Sequence, residues 1–343
     1  MDRKQKIPGL DILKTAAATL IIFHHYQQVF KVGFHPMNFY GGAFNFGYFV
    51  ELFFIISGFL TLYSNKAGES TAGRLVHKLL RIYPMATIAC AFTLIVKSVQ
   101  AADISVLWNA KTLIANFLLI FSGWPYFGMM GINNPTWYLC VLIQCYLAFY
   151  LIEWVSEKLK INRIWFDGAM IVLAFGLYRI DLIADSTYRG IGAFSVGSIL
   201  CGLQDRIPKK KWIAGSALVL SAVLLACIPS QQRRIVTFIA FPAVVMLCAW
   251  WEGKGSEKAE KLTGLLSKMS FEVYIWHYPL MALEQMISRV TGFGPYRSYW
   301  SMAAFALTVW LLAYPLYRYV ETPVNRMIGK KIVQNADATG RPA

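Results

Sequence analysis

PGLDILKTAAATLIIFHHYQQVFK, residues 8–31, is an apolar stretch with a lysine and a histidine inside it, Lys14 and His25. The stretch is long enough to cross a hydrocarbon core about 30 Å thick. Eleven positions separate the two residues. That is about three helical turns, so both side chains fall on one face, roughly 16 Å apart along the axis. Ionisable groups inside a bilayer are costly and point to function. An imidazole towards one membrane face and a cation towards the other outline a path across the membrane.

The rest of the chain repeats this apolar character. Of its 343 residues, 57% are hydrophobic and 15% charged, with a mean hydropathy of +0.48. Apolar segments run near 9–30, 44–64, 82–102, 105–122, 136–155, 164–183, 189–204, 212–229, 234–252, 268–289 and 299–320. The composition excludes an ordinary soluble domain and leaves no room for a second sizeable one. The formal net charge of +15 does not indicate nucleic acid, because the Lys and Arg residues cluster at helix ends, as the positive-inside rule requires. Cys90, Cys140, Cys145, Cys201, Cys227 and Cys248 all lie in or beside apolar runs. They read as small buried hydrophobes, not as a disulfide framework or a metal site. The first apolar run is too long for a signal peptide and no small-residue cleavage site follows it.

Charge sets the topology. The basic N-terminus (MDRKQK), the loop carrying Lys66, Arg74, Lys78 and Arg81, and the loop EKLKINR at 157–163 all belong inside. Three apolar segments between the last two cannot all cross. Segment 105–122, which carries Asn109, Lys111 and Asn116, is read as a re-entrant or surface helix, since irregular backbone at that depth must be covered by protein or water. The loops 204–211 and 252–261 then fall inside. The expected fold is an all-α polytopic membrane protein of about ten transmembrane helices plus that one helix, with both termini cytoplasmic. Residues 1–330 form one membrane domain, and 331–343 a polar, disordered tail.

Several polar residues interrupt the spans. Glu51, in the outer part of the second span, is expected at the depth of His25, where a carboxylate fixes the tautomer of a general base. His24 faces about 100° away from His25 and is read as a bystander. Ser57 and Gly58 follow on the second helix, Gly58 as a notch for close helix approach. Arg74, His77, Lys78 and Arg81 cluster at the inner surface, where such cations hold phosphate. Trp137 opens the fifth span, and Gln144 sits within it. Glu272 and His277 lie in the tenth, with His277 expected in the inner half, nearer the depth of Lys14 than of His25. Glu321 ends the last span, able to pair with the inner basic cluster.

These segments together resemble the acyltransferase-3 family of integral membrane acyltransferases, as a stand-alone membrane domain. The family's first span carries an arginine, ten intervening residues and a histidine; Lys14 and His25 keep the spacing, with lysine for arginine. VELFFIISGFL at 50–60 matches its second span nearly throughout. Lys78-LLRIYP-Pro84 matches an Arg-x-x-Arg-Ile/Leu-x-Pro element with one arginine replaced. Trp137, Leu139 and Tyr146 match a Trp-x-Leu element with its tyrosine. Ser270, Tyr274, His277 and Pro279 match Ser-x-x-x-Tyr-x-x-His-x-Pro, and Glu321 and Pro323 a terminal Glu-x-Pro. The ordered matches span residues 9–323. A glutamate that many members carry soon after the tryptophan is absent; Gln144 occupies that neighbourhood.

The resemblance implies transfer of an acyl group, usually acetyl, from cytoplasmic acetyl-CoA or another acyl-CoA to a hydroxyl outside. The acceptor would be a surface polysaccharide or lipid-linked glycan, and the location a bacterial inner or plasma membrane. Lys78 and Arg81, with Arg74, would hold the coenzyme phosphates, and Lys14 would guide its arm. His25, oriented by Glu51, would be the base. Ser57, Trp137, Tyr274 and His277 are further site candidates. No metal is called for. Two alternative readings are a membrane transporter or flippase of a glycan intermediate, favoured by the intramembrane charges, and an acyltransferase acting on a small molecule such as a macrolide.

Overall fold

Ten helices of thirteen residues or more and one of eight carry the described chain. The computed structural model describes residues 7–34, 37–42, 44–64, 71–100, 105, 107–123, 129, 131–206, 211–227, 236–251 and 256–327. The basic residues 1–6, the tail 331–343 and parts of the loops 204–211 and 252–261 lie outside the described residues. In chain order the helices are α1 (Pro8–Phe30), α2 (Phe49–Tyr63), α3 (Thr71–Gln100), α4 (Ala110–Phe117), α5 (Trp137–Leu159), α6 (Arg163–Arg179), α7 (Asp185–Leu203), α8 (Lys211–Cys227), α9 (Thr237–Ala249), α10 (Glu257–Thr291) and α11 (Tyr299–Pro315). The all-α expectation holds among the described residues. Among the described residues, four segments combine the length and hydropathy needed to cross a membrane: Phe46–Tyr63, Thr71–Gln100, Asn134–Leu159 and Tyr299–Met327.

Two helices begin well before their apolar runs. The sequence places the third segment at 82 and the tenth at 268, but α3 starts at Thr71 and α10 at Glu257. Their first turns are charged, and Lys, Arg and Glu are good helix formers. The hydropathy edge therefore marks the membrane surface, not the end of the helix. Segment 105–122 contributes only α4, eight residues or about 12 Å, too short to cross. Asn109 caps it through Lys111 N, and buried Asn116 accepts from Ile132 N at 2.8 Å. At the end of α11, Pro315 lacks an N–H and crowds the preceding turn. The helix widens there into a π turn, Leu316–Glu321.

Packing follows the small residues. α2 lies along α7, which also carries α5 and α6; α1 lies along α10, which also meets α3 and α11. A Cβ on Gly58 would overlap the Phe194 carbonyl, and one on Gly197 the Ile55 carbonyl. The α2 and α7 backbones thus touch directly, as small residues in membrane helices allow, and Gly58 is the notch the sequence suggested. One apolar core joins α2, α5, α7 and α9 with one side of α10; a second joins α1, α10 and α11. Cys90, Cys140, Cys145 and Cys201 are buried.

The first helix is held in register from both sides. Ser267 donates to Asp11 at 2.6 Å, and Trp310 Nε1 donates to Thr19 at 3.1 Å. The chain after α1 folds back over its end, where Gln27 Oε1 accepts from Phe39 N at 2.6 Å and Tyr40 N at 3.0 Å. Gly58→Val and Gly197→Val are expected to lower the thermal midpoint in detergent by overpacking, costing about 1–3 kcal/mol or more. Gly168→Val, where nothing lies within 4 Å of a Cβ, leaves the midpoint near that of the parent.

Candidate active site

Five helices enclose a cavity of about 390 Å³ that ends in tyrosines. α1 supplies Lys14, α2 Ser57 with Ser64 at its C-terminal cap, α3 Lys78 and Arg81, α5 Tyr138 and Tyr146, and α10 Ser267 and Tyr274. The size falls in the range of small-ligand and cofactor sites. Its cations come from the end of the bundle where α1 and α3 begin and α2 ends. We call that end the basic face.

The cations there are held but not spent. Lys14 pairs with Asp11 at 3.2 Å, and Asp11 is itself fixed by Ser267. Lys78 lies over the Tyr146 ring, 5.4 Å from its centroid. Arg81 Nε reaches Glu321 at 3.7 Å, bearing out the pairing expected from the end of the last span, while its side chain stays 59% exposed. Its fork therefore keeps donors for an anion. Arg74 stands apart. It donates to Glu153 at 2.9 Å and stacks near Tyr150, and it is not among the residues lining the cavity.

Deeper in, the lining becomes hydroxyl-rich. Ser57 Oγ and Tyr138 OH are 3.1 Å apart, and Tyr274 donates to the Pro135 carbonyl at 2.7 Å. The Tyr138 and Tyr274 rings meet edge to face at 5.3 Å. From Tyr274 the contact continues to His277, at 5.7 Å between ring centroids, and from His277 to His25, stacked at 5.1 Å. His277 therefore lies at the level of His25, not in the inner half. Hydropathy starts the tenth segment at residue 268, whereas α10 begins eleven residues earlier and sets Ser267 beside Asp11.

His25 is buried, and its Nδ1 donates to Gln28 Oε1 at 2.8 Å. A protonated Nδ1 leaves the lone pair on Nε2, the form a base requires. His24 behaves as the bystander: its Nδ1 sits 3.1 Å from both the Phe39 carbonyl and Gly47 N, so it ties down the 37–48 loop. Glu51 is 1% exposed and accepts from Arg189 Nε at 2.8 Å. The Arg189 guanidinium also faces the Trp137 ring at 5.4 Å. The structure thus joins Glu51 and Trp137 through Arg189, and gives His25 its orientation from Gln28. Sequence reasoning missed Arg189 and Tyr138; the Arg189 partner is 138 positions away.

Comparison with known proteins gives this arrangement a family. Residues 7–318 match the family model described as Acyltransferase domain. The chain belongs to the acyltransferase-3 family. Its long apolar helices give it the character of a membrane protein. It is 21% identical to the peptidoglycan O-acetyltransferase OatA of Listeria monocytogenes over 94% of this chain and 56% of that protein. For YrhL of Bacillus subtilis the values are 21%, 93% and 55%. The chain spans about half the length of these two relatives. The acyltransferase MdmB of Streptomyces mycarofaciens is also 21% identical, over 82% of this chain and 81% of its own. No solved structure matches.

Removing one partner of a buried ion pair strands the other charge at a cost of about 3–5 kcal/mol. Glu51→Ala and Arg189→Ala are each expected to lower the thermal midpoint sharply. The double variant is expected to lose less than the sum, which a double-mutant cycle on detergent-purified protein measures.

Proposed function

We propose that this acyltransferase takes an acetyl group from cytoplasmic acetyl-CoA and delivers it across the membrane to a hydroxyl of a cell-envelope glycan. In this reading the ten long helices cross a bacterial plasma membrane with both termini cytoplasmic. The observation that carries it is a cationic cavity whose lining residue Tyr274 is in ring contact with His277, and through it with the buried, oriented His25 imidazole. The names of the relatives supply the acceptor class: OatA is named for peptidoglycan O-acetylation.

Each residue then has a task. Arg81 and Lys78 hold the coenzyme phosphates, Arg81 through its exposed fork and Lys78 as a point charge. Lys14 lines the passage of the pantetheine arm. Ser57, Tyr138 and Tyr274 offer hydroxyls along the inner stretch of that passage. His25 Nε2 removes the acceptor's proton as its oxygen attacks the thioester carbonyl. The carbon–oxygen bond forms, the carbon–sulfur bond breaks, and His25 returns the proton to the leaving thiolate. Glu51 acts by holding Arg189 over Trp137, and Arg74 by holding Glu153.

Labelled acetyl-CoA and purified protein with a glycan acceptor test the reading. His25→Ala is expected to lose transfer, and undiminished turnover in that variant would contradict the mechanism. Arg81→Ala is expected to raise the KM for acetyl-CoA by about tenfold or more with a smaller change in kcat, the signature of lost uniform binding.

A further inference from the structure

His277 is a buried imidazole that its surroundings leave unsatisfied. It is 0% exposed, and neither ring nitrogen has a hydrogen-bond partner among the described residues. The carbonyls of Val273 and Tyr274 on its own helix are close by, but neither is met in hydrogen-bond geometry. Either tautomer of a neutral imidazole carries one N–H. A buried donor without a partner is costly, and native structures rarely keep one without a reason. Packing does not supply that reason, since an apolar ring would fill the same space without the cost.

Its position does supply one. His277 stands between Tyr274, which lines the cavity, and His25, on whose ring it stacks at an interplanar angle of 26°. The ring contacts between the cavity lining and His25 thus run through this imidazole. Acyl transfer builds negative charge on the thioester oxygen, and a fixed N–H in a water-poor site is the group that stabilises such charge. We infer that His277 donates its ring N–H to the donor's carbonyl oxygen while His25 takes the acceptor's proton. The two imidazoles then divide the work, one as electrophile and one as base. No proton is lost from His277 in the step, and no co-reactant is needed. This assignment rests on the reading that His25 is the base for transfer from acetyl-CoA.

The test compares His277→Phe, His277→Gln and His277→Asn in the full-length protein. Phe keeps a ring against His25 but removes the donor. The Gln amide falls near the position of Nε2 and the Asn amide near that of Nδ1. Binding of labelled acetyl-CoA is measured first and is expected to match the parent, because the groups at the cavity mouth are untouched. If all three variants lose donor binding, the assignment falls. With binding intact, Phe is expected to lower kcat about 100- to 1,000-fold with KM for acetyl-CoA unchanged. One of the two amides is expected to recover at least about tenfold of that loss, and which one does identifies the donating nitrogen. Parent-like kcat in the Phe variant would overturn the inference, since stacking would then suffice. Failure of both amides to exceed Phe would overturn it as well. His25→Ala run alongside separates the two levels: activity surviving in that variant removes the underlying reading, whereas its loss beside a fully active Phe variant removes only the role of His277.

Discussion

The register of α1 against α10 is the constraint on which the rest depends. The two helices run in the same direction from the basic face. Ser267 meets Asp11 near their start, and His277 stacks on His25 further along. Fixing those two points sets the cavity wall formed by Lys14, Ser267 and Tyr274 and aligns the stacked imidazoles of His25 and His277. In a bilayer such alignment cannot come from hydrophobic attraction between helices, because lipid is equally apolar. It comes from hydrogen bonds, close packing and the need to satisfy polar groups internally.

The second half of the bundle serves the first. α2 and α7 approach through Gly58 and Gly197 until their backbones touch. That contact carries Ser57 to the cavity and Glu51 to Arg189. The ion pair Arg74–Glu153 ties α3 to α5 on the basic side, leaving Lys78 and Arg81 on the neighbouring turns to line the cavity. Charges near the mouth thus separate into those that brace helices and those left with capacity for a ligand. Arg81 does both, touching Glu321 while staying largely exposed.

Much of this was legible in the sequence, for physical reasons. Helical periodicity puts Lys14 and His25 on one face, and the cost of charge in a bilayer marks both. The Lys78–Arg81 spacing puts two cations on adjoining turns of one helix. Segment 105–122, with its polar residues, reads correctly as too weak to cross. What the sequence hid depends on distant contacts or on helix ends. Depth alone suggests Glu51 as a partner for His25; its ion pair with Arg189, 138 positions later, is not visible from the sequence. Hydropathy places His277 too shallow because the charged first turns of α10 look like loop while folding as helix. Arg74 shares its composition with the cavity cations, and only the fold reveals that Glu153 engages it.

Sidedness is the most direct measure of the central claim, that one path through the bundle links the cationic cavity to His25 across a membrane. Proteoliposomes with uniformly oriented protein would receive labelled acetyl-CoA only on the basic face, with the glycan acceptor enclosed on the opposite side. The account predicts acetyl ester on the enclosed acceptor. Ester forming only when donor and acceptor share the same side would contradict it.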